Sequence, residues 1–301
     1  MATTIKQSFS VYASNLNITD KQEETVSNCH NNVTRVIKKK LDLHKEESKV
    51  IGSWDRNTLI KYLSENDVDL MVILHYGKNK NWDNPAGTVA ALDKFKEILD
   101  EAYPDTKKWK DRNCITMQLS KFKLDVVPAF KYDDGTTSYY KIPDTYRKQW
   151  LPTDPFSFAS RLTTINKNMG QTFIPLIKMV KGWNRDNGKL IRSFHLESVM
   201  YYHYKSYNQS FTYSSTLNVF FGSLADRLSK ACYDPITNDR LDGYMDNSSQ
   251  TTIREMAVSK AKKAAEIAQK AYDYEKAGED YEEYAIYEWK KLLGEFFPAY
   301  G

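Results

Sequence analysis

The feature that most constrains this chain is the run Asp67-Val68-Asp69-Leu70-Met71-Val72-Ile73-Leu74. Two carboxylates stand one residue apart at the head of an apolar, β-branched segment bounded by polar residues, a pattern that predicts a buried strand. Alternate residues of a strand share a face, so Asp67 and Asp69 point the same way, roughly 7 Å apart. A buried carboxylate is costly unless it is paired, hydrogen-bonded or bound to a metal. Something else in the chain must offset that cost.

Asp125 is the candidate third anion. It lies in Lys121–Phe130, where Phe122, Leu124 and Val126 alternate with Lys123, Asp125 and Val127, as on a second strand that could lie beside the first. Three carboxylates on adjacent strands can hold two Mg²⁺ ions about 4 Å apart, an arrangement that serves in-line attack on phosphorus. Mg²⁺ takes a few carboxylates and completes its shell with water and phosphate oxygens, which fits a nucleotide substrate. Gly52 and Ser53 then acquire a use: Ser53 precedes Asp67 by fourteen residues. Glycine lets backbone approach a phosphate, and a helix beginning at Ser53 would aim free N–H groups at it. Alone, Gly-Ser carries no information, and the Asp67/Asp69 pair reads equally as a strand-end cap or a salt-bridged pair. The combination carries the inference.

The 301 residues suffice for one large domain or two closely packed lobes. No apolar run reaches the about 18 residues that suggest a membrane span. The sequence from Met1 to Asp20 has no basic stretch followed by an apolar core, so no secretory signal is expected. The odd, scattered cysteines Cys29, Cys114 and Cys232 suggest neither a disulfide framework nor a zinc site. A reducing, cytoplasmic compartment is the expectation. The net charge of +4 suits an anionic small ligand without demanding nucleic acid.

Helical spacing of Val26, Val33, Val36, Ile37 and Leu41 predicts a helix over residues 20–43, with Asp20 as N-cap and Glu23 completing a capping box. A short strand ending at Gly52, the strand from Asp67 and a helix over 87–102 follow. Two strands then flank a turn at Ser120–Lys121, and a hairpin turn is expected at Asp134–Gly135. From residue 156 the chain reads as helices over 156–168, 171–185, 193–206, 214–231 and 250–293, the last broken at Gly278. The expected fold class is α+β: a lobe over 1–150 with a mixed or antiparallel sheet and the N-terminal helix, then a helical lobe over 151–301. Ligands favour the cleft between such lobes.

These residues resemble a known family. "GSWDRNT", "DVDLMVIL" and "KLDVVPAF" look like the signature of polymerase-β-type nucleotidyltransferases. More narrowly, the chain resembles the cGAS/DncV-like nucleotidyltransferases (CD-NTases) of bacterial CBASS anti-phage systems. "LIKMVKGWNRDNGKLIRSFHLESVMYY", "ACYDPITNDRLDGYMD" and "AIYEWKKLLGEFFPAYG" are similar to that family's helical lobe. The resemblance extends over about residues 45–298.

The resemblance implies that Asp67, Asp69 and Asp125 are catalytic and bind two Mg²⁺ ions, with Mn²⁺ able to substitute. Asp125 would accept the proton of the attacking ribose hydroxyl, with no need of an unusual pKa. Gly52 and Ser53 would hold the β- and γ-phosphates, and Lys181 and Lys178 would reach the triphosphate. The plainer reading of both lysines is a solvent-facing helix surface. Ser193 would contact the triphosphate, or serve as a helix N-cap, or do both. Phe194 would stack on a base or fill the core. His195 and Glu197 read as structural residues, and Arg56 and Thr58 as supports of the Gly-Ser loop. The implied reaction joins nucleoside triphosphates, releases pyrophosphate and closes a cyclic di- or trinucleotide for an effector protein encoded elsewhere. Cyclisation is implied by the resemblance alone. The alternative is a transferase making linear oligonucleotides or modifying an RNA or protein acceptor. The basic clusters at 35–40 and 107–112 read as solvated surface, leaving nucleic-acid binding open but not indicated; a monomer is expected.

Overall fold

A computed structural model describes residues 2–133, 135, 138–247 and 252–301. The elements are α1 (Ile5–Leu16), α2 (Asp20–Lys38), β1 (Leu43–Ile51), β2 (Asp67–Leu74), α3 (Tyr76–Asn79), α4 (Gly87–Ala102), β3 (Lys108–Lys110), β4 (Ile115–Gln118), β5 (Lys123–Asp133), β6 (Ser138–Asp144) and β7 (Gln149–Thr153). Helices α5 (Pro155–Asn168), α6 (Phe173–Asp186), α7 (Ser193–Tyr204), α8 (Tyr213–Leu228), α9 (Ile253–Ala277) and α10 (Glu282–Leu293) complete the chain. The chain divides into an α/β unit, residues 18–159, and a helical unit formed by residues 160–301 together with residues 1–17.

In the α/β unit the central path of the sheet runs β1-β2-β5-β4-β3, and β6 and β7 extend from β5. Only the β2–β5 pair is parallel among the described strands. Strand alternation divides the apolar side chains between two faces. Val68, Leu70, Val72 and Leu74 join Leu124, Val126 and Phe130 in a core closed by Val26, Val33 and Ile37 of α2 and Leu92, Phe95 and Leu99 of α4. Full burial of each such large side chain is worth about 1.5–3 kcal/mol. The other face holds a smaller cluster of Met71, Ile73, Ala129 and Tyr140, with Ile51, Ile142 and Phe156 against it. By the same alternation Asp67, Asp69 and Asp125 belong to that second face, ahead of its covered part.

Helix α2 begins one residue earlier than an Asp20 cap requires. Thr19 is extended and accepts the Gln22 amide, while the Gln22 side chain returns to the Thr19 amide. The capping box is therefore Thr19–Gln22 rather than Asp20–Glu23. Strands β5 and β6 form the expected hairpin, with Asp133 opposite Ser138. Its turn residue Asp134 lies outside the described residues, and Gly135 has φ +84°.

The N-terminal helix corrects the expected lobe boundary. Helix α1 packs with the C-terminal helices, not with the sheet. Its buried residues Ile5, Phe9, Tyr12 and Leu16 form one helical stripe. Phe9 meets Trp289 edge-on at 5.2 Å and Phe297 at 5.1 Å. The Tyr12 hydroxyl donates to the Leu293 carbonyl at 3.1 Å. Gly182 of α6 makes this approach possible: a Cβ there would sit 2.8 Å from the Tyr12 hydroxyl. The division between units falls inside α5, after residue 159 rather than 150.

The remaining helices follow the sequence closely. Buried Ala257, Ala261, Ala264, Ala268 and Ala271 make one face of α9, which packs against α8 and α10. Gly278, at φ +114°, ends α9 as expected. Residues 250 and 251 of the expected last helix lie outside the described residues; α9 starts at Ile253, capped by Thr252. Replacing Phe9 by Ala should destabilise the helical unit by about 3–5 kcal/mol, as for other buried Phe-to-Ala changes. Denaturant unfolding followed by tryptophan fluorescence would measure it.

Candidate active site

The register of the sheet assembles the carboxylates. Asp69 of β2 lies opposite Asp125 of β5, and Asp67 lies opposite Lys123. Thr116 of β4 lies opposite Asp125 from the other side. Paired residues on neighbouring strands share a face, so Asp67, Asp69, Asp125 and Thr116 form one polar patch. The Thr116 hydroxyl donates to Asp125 Oδ1 at 2.6 Å. Asp67 is the most exposed of the three acids, with Lys123 Nζ 4.0 Å from its Oδ1.

The electrostatics of the patch are those of anions short of a cation. Burial, then the negative charge of Asp125, pushes the Asp69 carboxyl up to about 7, although Arg56 opposes the rise. Burial likewise raises Asp125, partly offset by the Thr116 hydrogen bond. Desolvation dominates on this face. Among the described residues no group of three or more His, Cys, Asp or Glu side chains is already gathered closely enough to hold a metal ion. Hard carboxylate oxygens, desolvated and mutually repelling, nevertheless fit a divalent cation in chemical type.

Gly52 follows Ile51, the residue paired with Asp69. Gly52 has φ +74°, and a Cβ there would sit 2.2 Å from Asp69 Oδ2. Glycine is therefore required twice, by its backbone conformation and by the carboxylate against it. The expected helix at Ser53 is absent. Residues 52–57 form a turn in which the Arg56 amide meets the Gly52 carbonyl, and the Thr58 and Leu59 amides both meet the Ser53 carbonyl. This double use of one carbonyl folds the chain back before a helix can propagate. The amides of Ser53, Trp54 and Asp55 have no backbone acceptor among the described residues. Thr58 is buried and its hydroxyl lies 3.4 Å from the Ser53 carbonyl, in keeping with a loop support. Arg56 has a role beyond steadying the loop, since its charge acts on Asp69.

The remaining candidate residues belong to the helical unit. Lys178 and Lys181 are both buried in α6, so the solvent-facing reading is corrected. Lys181 Nζ donates to Glu197 at 2.8 Å, and Lys178 Nζ donates to the Asn17 side chain at 2.8 Å. Glu197 is fully buried, as suits a bracing residue. Ser193 is exposed and opens α7, but Arg192 holds the N-cap position, so the cap reading of Ser193 is not observed. Phe194 is half-buried beside it. His195 is buried with Nδ1 3.1 Å from the Tyr244 hydroxyl, and burial lowers its pKa to about 4. These contacts fit a structural histidine.

Sequence reasoning missed Thr116. Its only signal was a threonine in an apolar strand, and nothing in the sequence gives the β4–β5 register that sets it against Asp125.

Two outcomes follow from these charges. A carboxyl with a raised folded-state pKa holds its proton where the unfolded chain releases it, so its stabilising contribution is present below about pH 4 and is lost as pH rises through about 7. Melting temperatures of chelator-treated protein should therefore contain a loss over this range that Asp69→Asn removes. Lys181→Ala should lower stability by about 3–5 kcal/mol, because it removes the lysine of an ion pair with the buried Glu197 carboxylate. Chemical denaturation would test this, with Lys181→Ala/Glu197→Gln recovering part of the loss.

Comparisons with known proteins agree with this architecture. The SMODS family, described as the Second Messenger Oligonucleotide or Dinucleotide Synthetase domain, matches residues 3–166. A cyclic AMP-AMP-AMP synthase of Acinetobacter is 29% identical over 208 residues, covering 63% of this chain and 57% of that protein. The chain thus spans little more than half the length of this relative. A probable cyclic nucleotide synthase of Bacillus cereus is 27% identical over 282 residues, covering 83% of this chain and 81% of the relative. The structure of the Vibrio cholerae cyclic AMP-GMP synthase DncV, solved with a linear intermediate, is similar in fold with a TM-score of 0.69 and 15% identity, covering 95% of this chain and 93% of that one. With more than half of its length matched by the family, the chain belongs to the SMODS family of second-messenger nucleotide synthetases.

Proposed function

We propose that this nucleotidyltransferase joins nucleoside triphosphates into a cyclic di- or trinucleotide second messenger for anti-phage defence. The observation that carries the reading is the in-register pair Asp69–Asp125, with Gly52 pressed against Asp69 on the same face. Family membership and the names of the two relatives support the reaction class.

In this reading Asp67, Asp69 and Asp125 are the catalytic and metal-binding residues. Two Mg²⁺ ions, or Mn²⁺ in their place, neutralise phosphate charge and acidify the attacking hydroxyl when bound. Asp125 accepts the proton of the ribose hydroxyl. Gly52 and Ser53 offer backbone amides to the β- and γ-phosphates. Lys178, Lys181, Ser193 and Phe194 belong to the nucleotide-binding set, the lysines after release from their present partners. Attack on the α-phosphate forms the new ester and expels pyrophosphate. Positioning and charge neutralisation supply the acceleration.

The α/β unit is the catalytic lobe and the helical unit the nucleotide-closing lobe. We place the enzyme in the cytoplasm as a monomer, with a separately encoded effector as reader of the product. Among the described residues no helix is long and apolar enough to cross a membrane. A transferase making linear oligonucleotides or modifying an acceptor would use the same carboxylates.

Incubation with labelled nucleoside triphosphates and Mg²⁺, then phosphatase, separates these readings. A phosphatase-resistant product is expected, and only phosphatase-sensitive chains would favour the alternative. Asp67→Asn/Asp69→Asn should abolish product formation with the fold retained and metal-free stability at pH 7 unchanged or raised, since repelling charges are removed. Turnover in that variant would refute the assignment.

A further inference from the structure

We propose that Thr116 is a positioning residue for the reaction, fixing the Asp125 carboxylate so that one oxygen is committed to the protein and the other is left for the reacting groups. The inference rests on reading Asp125 as a reacting carboxylate.

Asp125 sits on the middle strand of three. On one side, in register, is Asp69; on the other, also in register, is Thr116. One neighbour repels its charge and the other binds it. The Thr116 hydroxyl has a single proton, and at 2.6 Å that proton is directed to Asp125 Oδ1. Thr116 is 4% exposed, so water does not compete readily for the bond. A short hydrogen bond to an ionised acceptor is among the stronger kinds.

A further contact completes the arrangement. Cys114 Sγ lies 3.7 Å from the Thr116 hydroxyl, and Cys114 is itself buried. With the Thr116 proton given to Asp125, the thiol is the donor in that contact. Cys114 thus supports the Thr116 hydroxyl and also acts on Asp125 directly, while the Thr116 proton is held on Oδ1. The two oxygens of Asp125 thereby become unequal before any ligand arrives. Without the hydroxyl, the carboxylate is free to turn about its Cβ–Cγ bond and present both oxygens. Such supporting bonds commonly change metal affinity or activity by about 10–100-fold when removed.

The test compares Thr116→Val, which keeps the shape and loses the hydroxyl, with Thr116→Ser, which does the reverse. Mn²⁺ binding to nucleotide-free protein, followed by electron paramagnetic resonance of free Mn²⁺, should weaken about 10-fold in Thr116→Val. Its kcat should fall about 10-fold with the triphosphate KM within about twofold. Thr116→Ser should restore both quantities. Wild-type Mn²⁺ affinity and kcat in Thr116→Val, or a Thr116→Ser variant as defective as Thr116→Val, would overturn the proposal. Should Thr116→Val fail to fold, Thr116→Ala takes its place in the same comparison with Thr116→Ser. Asp125→Asn, measured alongside, separates the two levels of the argument. An inactive Asp125→Asn with a fully active Thr116→Val defeats the role of Thr116 alone; a fully active Asp125→Asn defeats the reading of Asp125 itself.

Discussion

The parallel pairing of β2 with β5 is the constraint on which the rest of the α/β unit depends. It sets Asp69 directly against Asp125 and, on the reverse face, Leu70 against Val126. One register therefore fixes both the repulsive polar patch and the apolar core. A slip of one residue would exchange the faces, burying the acids under α2 and α4 and exposing the aliphatic residues. The core holds the register, and the register holds the acids at a distance they would not choose in isolation.

The surroundings of the patch reduce this repulsion without removing it. Arg56 opposes the rise of Asp69, Thr116 donates to Asp125, and Lys123 stands near Asp67. Gly52 contributes by having no side chain, since any Cβ would occupy the space of the Asp69 carboxylate. The helical unit meets a comparable difficulty differently. There the buried Lys181 and Glu197 form an ion pair at 2.8 Å. In the helical unit these two buried charges are paired with each other, whereas the α/β unit gathers three carboxylates on one face.

Much of this was legible in the sequence because local patterns wrote it. The strand from Asp67, the alternation around Asp125, the helix over 87–102 and the break at Gly278 follow from periodicity and from the conformational freedom of glycine. What was not legible depends on pairings distant in sequence. The burial of Lys178 and Lys181 could not be read from an amphipathic helix whose partners Asn17 and Glu197 lie elsewhere in the chain. The turn after Gly52 replaced a helix because one carbonyl, that of Ser53, takes two amides. Thr116 carried no local mark, since its importance lies in the strand beside it.

The placement of α1 has a consequence for biosynthesis. Phe9 and Tyr12 leave the ribosome long before Trp289, Leu293 and Phe297, which receive them and lie about 280 residues further on. At about 5–20 residues per second, the stripe of α1 waits on the order of tens of seconds for its partners. During that interval the α/β unit, residues 18–159, can fold from sequence already made. The helical unit cannot. A polypeptide cut short before Trp289 would carry the acidic face on a finished sheet but lack the helices that complete the other unit, and the exposed stripe of α1 would mark it for chaperones and proteases. Joining residues so distant in sequence in one unit makes the helical fold a check that synthesis has passed Phe297.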